Sequence, residues 1–116
     1  GKKLPVPHCI RDTEGWQIRS ELDALRKTEP IDKETFGSTD LAAELVAMNI
    51  DDEIGSITFV GLCTDICVVS NALILKATFP SVEITVDASC CAGVTPQTHL
   101  AALETMKMCQ ILVTGE

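Results

Sequence analysis

Aromatic side chains are nearly missing from this chain: there is no tyrosine, one tryptophan and three phenylalanines, 3% of the sequence. That leaves no row of rings on which bases could stack and removes the usual platform of a single-strand nucleic-acid binder. Positive charge is scarce as well, with nine Lys and Arg against seventeen Asp and Glu, a formal net charge of −8. Such a surface does not neutralise phosphates, so neither a nucleic acid nor an anionic membrane is an expected partner. No apolar run approaches the roughly 20 residues that cross a bilayer, and nothing at the start resembles a signal peptide. Internal repeats and low-complexity stretches are absent. No Cys-x-x-Cys pair occurs, which argues against a closed structural zinc site.

What is present is a hydrophobic chain of modest length. Its 116 residues, 46% of them hydrophobic, suffice for one core and leave no room for a second. Six cysteines occur: Cys9, Cys63, Cys67, Cys90, Cys91 and Cys109. They could form three disulfides. Four of them, however, lie in or beside strongly apolar segments, and the chain lacks the loop-rich character of a disulfide scaffold. Reduced thiols in a cytoplasmic protein are the better expectation.

Apolar patterning gives an alternating order of helices and strands. Residues 1–15 read as loop, with Pro5 and Pro7 forcing extended backbone before His8. Residues 20–27 read as a short helix and 30–33 as a short strand. Ser38 or Thr39 caps a helix to about Met48, with Leu41, Leu45 and Met48 on one face. A polar turn over 51–55 leads to a strand over 56–62. Residues 66–78 then carry a helical pattern that is apolar nearly all round, so burial on more than one side is expected. Pro80 stops it. Residues 82–87 form the next strand. Thr95-Pro96 caps and opens a helix with Leu100, Leu103 and Met106 inward, and 110–114 is a last short strand. The order implies a doubly wound, mainly parallel α/β sheet with its site at the C-terminal strand ends.

The most informative stretch is Val60-Gly61-Leu62-Cys63-Thr64-Asp65-Ile66-Cys67-Val68. The strand breaks at Gly61 into a short polar turn, and a cysteine stands at the turn-to-helix junction. Unpaired N–H groups and the dipole at a helix N-terminus favour negative charge, so Cys67 is placed where a thiolate is favoured. The same N–H groups can receive an oxyanion once sulfur attacks a carbonyl. Strand, tight turn, nucleophile and helix make a nucleophile elbow built around sulfur. The plainer reading is a buried structural cysteine.

This stretch resembles the signature of the isochorismatase-like cysteine hydrolases. Three further segments agree in order. Pro7-His8-Cys9 with Thr13 and Gly15 is similar to the metal-histidine segment of the nicotinamidase/pyrazinamidase branch. Lys33 followed by Phe36, Ser38 and Leu41 resembles the catalytic-lysine segment. Val86-Asp87-Ala88, Gly93 and the helix through Ala101 and Leu103 resemble the family's C-terminal part.

The resemblance implies a hydrolase of a small carboxamide that releases ammonia through a thioester. Cys67 would be the nucleophile, with Lys33 beside it. The backbone N–H groups of Cys63 and Cys67 would form the oxyanion hole, after a non-proline cis peptide at Leu62-Cys63. Phe36 and Ile66 would line the substrate pocket, and His8 would ligate a divalent metal, zinc by analogy. Family members begin with an aspartate-bearing strand, in a pattern like Asp-x-Gln-x-x-Phe, and then supply an Asp-x-His metal pair. Neither pattern occurs before Lys33 here. Residues 1–116 therefore read as the C-terminal portion of a single hydrolase domain, lacking the family's first two strands. Association is expected, as a homo-oligomer or with a complementary N-terminal segment.

Each of these residues also has a plainer reading. Lys33 alone would be a solvated surface lysine and His8 a loop histidine. Asp65 is either a catalytic acid or, more simply, a cap on the helix that starts beside it. Cys63 could be a resolving thiol. Cys90, Cys91 and Cys109 read as structural, and His99 as solvated. Pro5 stands where nicotinamidases usually carry tryptophan, and Ile66 where an aromatic or histidine is common, so a flat-ring sandwich is weakened. The alternatives are a hydrolase of another small amide or carbamoyl compound, and an inactive α/β interaction module, since a triad without its aspartate cannot shuttle protons.

Overall fold

A computed structural model describes residues 6–116, so the expectation placed on Pro5 lies outside the described residues. The chain divides into two units, Gly1–Asp32 and Lys33–Glu116. In the first unit, a single 3-10 turn at Glu14–Trp16 precedes the short helix α1, Ser20–Asp23. Arg11 donates to Asp32 at 2.8 Å and lies over the Trp16 ring. The helix stops earlier than its pattern suggested, and Arg26 folds back onto the Asp23 carboxylate. Residues 30–33 form no strand, contrary to expectation. A short extended segment becomes a strand only where a neighbour takes its backbone hydrogen bonds.

The second unit holds three helices and three strands. The helices are α2 (Thr39–Asp51), α3 (Val69–Thr78) and α4 (Pro96–Met108). The strands β1 (Ser56–Leu62), β2 (Glu83–Ala92) and β3 (Leu112–Thr114) form one parallel sheet in the order β1-β2-β3. Parallel neighbours need a crossover, and α3 and α4 supply the two that occur here. Register places Ile57 opposite Ile84, Phe59 opposite Val86, and Val86 opposite Val113. Side chains alternate across a strand, so these residues share one face with Ala88. That face packs on Val68, Ala72 and Leu75 before and in α3 and on Leu103 and Met106 of α4, with Val86, Ala72 and Met106 fully buried. Leu41, Ala42 and Leu45 of α2 pack partly against the same core.

The ends of these elements follow local chemistry. The Ser38 hydroxyl accepts from the Leu41 N–H at 3.1 Å and fixes where α2 begins. Thr95 and Thr98 form a reciprocal capping box around the proline that opens α4. One inward assignment fails: Leu100 is 56% exposed while Ala102 takes its place in the core, and Met48 is half exposed although it shares a helical face with Leu41 and Leu45. In both helices the buried stripe is set by which turns meet the neighbouring helix or sheet, and periodicity alone does not locate it. The strand expected over 82–87 runs on to Ala92, through a register shift between Phe59 and Gly61 on β1. Among the described residues, β1 is an edge strand, and its Val60 and Leu62 are exposed.

Leu75 sits at the centre of this packing and is 1% exposed. Leu75→Ala is expected to destabilise the fold by about 2–5 kcal/mol, through lost burial and the cavity left behind. Urea denaturation followed by circular dichroism measures it. A loss under about 1 kcal/mol would contradict the placement of the core.

Candidate active site

The site forms where β1 ends. The Leu62–Cys63 peptide is cis, as the family resemblance implied. A π-helical turn over Thr64–Val68 follows and runs directly into α3. Cys67 therefore stands in the turn that leads into the helix, two residues before α3 begins at Val69. The Cys63 carbonyl accepts from the N–H groups of Ile66 (3.1 Å) and Val68 (3.0 Å), skipping that of Cys67.

Lys33, 34 residues away in sequence, brings its Nζ to 3.2 Å from the Cys67 sulfur. The same Nζ donates to the Thr35 carbonyl at 3.0 Å, which sets the direction of the side chain. The two cysteines of the turn stand in different surroundings, with the Lys33 ammonium beside the sulfur of Cys67. Burial pushes the Cys63 thiol up from its ordinary value, and the negative charges of Asp65 and Cys67 add to the shift. Cys63 is thus held as a neutral thiol near pH 7, a poor nucleophile.

Asp65 does not cap its own helix. Its carboxylate reaches across to α4, accepting from the Val94 N–H at 3.0 and 3.2 Å and from the Thr98 hydroxyl. His99, expected to be solvated, is half-buried, with its Nδ1 2.8 Å from the hydroxyl of the fully buried Thr64. A side chain on Gly93 would run into His99: a Cβ there would lie 2.7 Å from the His99 Cβ and 3.0 Å from its Cα. Glycine at that position is what lets the α4 backbone come this close. Residues Thr64 and Asp65 of the turn that carries Cys67 are thus tied to the start of α4. The pairing of Gly93 with a histidine six residues on was the only signal of this in the sequence, and helical patterning does not read it.

Phe36 and Ile66 are both half-buried, Phe36 in the loop that follows Lys33 and Ile66 next to Cys67. His8 belongs to the first unit, where it is exposed and its Nδ1 donates to the Val6 carbonyl at 2.9 Å. Among the described residues, no group of three or more His, Cys, Asp or Glu side chains could hold a metal ion. One exposed imidazole does not make the three- or four-ligand set of a zinc centre, so the residues described do not by themselves fit that metal. All six cysteines are free, and Cys90 and Cys109 are exposed and do not pack the core as expected. No helix among the described residues is long and apolar enough to cross a membrane.

A parallel sheet with helices packed on it, and with Lys33 and Cys67 brought together beyond a strand's C-terminal end, defines an α/β protein of the open-sheet kind. The particular family follows from the whole chain: residues 1–116 match the Isochorismatase domain, and the chain belongs to that family. Solved structures agree in fold. The nicotinamidase/pyrazinamidase PncA from Bacillus subtilis superposes with a TM-score of 0.78 at 24% identity, over 94% of this chain and 62% of that one. The nicotinamidase SaPncA from Staphylococcus aureus gives 0.74 at 26% identity, over 92% and 70%. The pyrazinamidase of Pyrococcus horikoshii, in complex with zinc, gives 0.69 at 25% identity, over 95% and 62%. The chain thus spans about three fifths of the length of two of these enzymes. No curated protein matches it in sequence.

The Asp65 bridge makes a pH-dependent contribution of defined sign. The Thr98 hydroxyl, then the Val94 N–H, with His99 nearby, hold the Asp65 carboxyl below its usual range. A depressed carboxylate stabilises the fold fully above the ordinary aspartate value, and that contribution is lost as pH falls through the lower folded value. Asp65→Asn is therefore expected to lower the urea midpoint near pH 6 and to narrow its gap to the parent as pH falls toward about 3. A gap that stayed constant across that range would show that the carboxylate charge contributes nothing.

Proposed function

We propose that this chain carries the nucleophile and the lysine of a cysteine hydrolase that acts on a small carboxamide, in the manner of a nicotinamidase or pyrazinamidase. One observation carries the reading: the Lys33 ammonium lies 3.2 Å from the sulfur of Cys67, at the end of a parallel strand and the start of a buried helix. Family membership and the nicotinamidase folds support it.

In this reading the Cys67 thiolate, held by Lys33, attacks the carboxamide carbon. The C=O electron pair moves onto oxygen, and the N–H groups of Cys63 and Cys67 face that oxyanion. A well-aimed donor of this kind is worth about 3–4 kcal/mol. Collapse of the intermediate breaks the C–N bond, the leaving nitrogen takes a proton from the upstream aspartate that the family resemblance implies and departs as ammonia, and a thioester remains on Cys67. Water then cleaves the thioester and returns the thiol. The aspartate that shuttles the proton in the family resemblance has no counterpart ahead of Lys33 in this chain. Phe36, three residues after Lys33, and Ile66, beside Cys67, would shape the pocket for the substrate's body in this reading. An aliphatic Ile66 favours a small amide or carbamoyl substrate as the second reading, because it offers no ring to stack on a planar one.

The open edge of β1, with Val60 and Leu62 exposed beyond it, supports association of the chain as a homo-oligomer or with a complementary segment. Sedimentation of the purified chain is expected to show oligomers or a concentration-dependent mass. A strictly monomeric sample with a sharp, reversible melt would overturn this part.

Cys67→Ala is expected to abolish amide turnover by several orders of magnitude, and Lys33→Ala to lower kcat far more than it changes KM. Ammonia release from nicotinamide, pyrazinamide and simple carboxamides measures both. Iodoacetamide should label Cys67 well below pH 8 and leave Cys63 slow, as peptide mapping would show. Turnover surviving in Cys67→Ala would overturn the assignment.

A further inference from the structure

Neither reacting side chain is positioned by its own element alone. Cys67 lies in the turn before α3, whereas Lys33 lies in an irregular segment with no strand or helix of its own. A segment without ladder hydrogen bonds holds its conformation only through contacts made elsewhere. Between Lys33 and the cap of α2, the hydrogen bonds from α3 come from one buried side chain, Asn71, which is 7% exposed.

The Asn71 carboxamide bonds in three directions. Its Oδ1 accepts the Ser38 N–H at 2.8 Å, and its Nδ2 donates to the Phe36 carbonyl at 3.1 Å and to the Cys67 carbonyl at 2.8 Å. Both amide hydrogens and one acceptor lone pair are therefore used, which also fixes which end of the amide is oxygen. Two of the partners flank Gly37 and the third is the main chain of Cys67. Gly37 makes this approach possible: a Cβ there would lie 2.5 Å from Cδ1 of Ile74 and 3.4 Å from Cβ of Ser70, both on α3. The loop that carries Lys33 and Phe36 is thereby seated on the helix that carries the nucleophile.

We propose that Asn71 is a positioning residue: it sets the Lys33–Cys67 distance by joining the lysine loop to the main chain of the nucleophile. This rests on the reading of Cys67 and Lys33 as the reacting pair. Asn71 touches neither sulfur nor ammonium and acts through the segments that hold them. The role needs an asparagine, because the site asks for two donors and one acceptor in a plane. An aspartate would meet two carbonyls with no hydrogen to offer. A threonine can return a bond to the carbonyl four residues back but cannot also reach the loop. The other titratable groups at the turn are Cys63, Asp65 and, through Thr64, His99, and the test leaves them unchanged.

The test is a double-mutant cycle on the whole protein, read at Cys67 itself. The pH profile of Cys67 alkylation by iodoacetamide is measured by peptide mapping in the parent, Lys33→Ala, Asn71→Ala and the double variant. If Asn71 acts through Lys33, Asn71→Ala displaces the profile toward higher pH in the parent background and has no further effect once Lys33 is gone. In turnover, kcat falls by on the order of tenfold to a hundredfold while KM stays within about twofold. Asn71→Thr, which spares the bond to the Cys67 carbonyl, stands in if the alanine variant does not fold, and shows the same displacement. Equal displacements in both backgrounds, or none in either, would overturn the proposal. The hydrolase reading is judged separately: activity lost in Cys67→Ala with the Asn71 profile unmoved would sink this inference alone. Activity retained in Cys67→Ala would sink the hydrolase reading, while the alkylation cycle would still decide the coupling.

Discussion

The burial of α3 is the constraint on which the rest of this structure depends. The helix is wedged between α2 and the sheet, with Ala72 and Leu75 inaccessible to solvent. A helix apolar on most of its surface has few orientations that cover it, so its packing fixes its axis closely. That axis fixes where β1 can hand the chain over, and so where Cys67 stands. It also fixes the face from which Asn71 reaches the lysine loop. The approach of Lys33 to Cys67 is thus a consequence of core packing, with Lys33 itself exposed and Cys67 half-buried.

Electrostatics then sorts three ionisable groups crowded into one turn. Cys63, Asp65 and Cys67 lie within five residues, and three negative charges so close would oppose one another. The structure separates them by giving each a different environment. Asp65 turns toward the start of α4, where the Val94 N–H and the Thr98 hydroxyl hold it as a carboxylate. Cys63 is pushed toward the neutral thiol, chiefly by burial. Lys33 is left to Cys67. The two cysteines of one turn therefore stand in different surroundings, Cys63 pushed toward the thiol by burial and Cys67 beside an ammonium.

The second reading of Asp65, a cap on its own helix, was reasonable on local grounds, since a turn aspartate before a helix usually serves the nearest unpaired N–H groups. It fails because the turn is π-helical and α4 offers a better donor set. The Val94 N–H and the Thr98 hydroxyl both converge on the carboxylate once Gly93 admits the α4 backbone. His99 was misjudged for a related reason: its neighbours along the helix are polar, but the surface across from it is the buried hydroxyl of Thr64. Leu100, read as core, faces outward because the stripe a helix buries depends on its neighbours.

How much was legible in the sequence follows from which interactions are local. The strand over 56–62, the break at Gly61, the buried helix ended by Pro80 and the Thr95-Pro96 start could all be read directly. Propensity, capping and periodicity act over a few residues and leave their trace there. The spacing from Gly61 to Cys67 likewise marked the elbow. Only the tertiary structure decided what lies far apart in sequence. It brought Lys33 to Cys67 across 34 residues, joined Asn71 to Phe36 and Ser38 across 35 and 33, and sent Asp65 to Thr98 across another 33. It also denied residues 30–33 their strand. Such contacts depend on chain closure around a packed core, and no short window of sequence contains the surface that a side chain will meet.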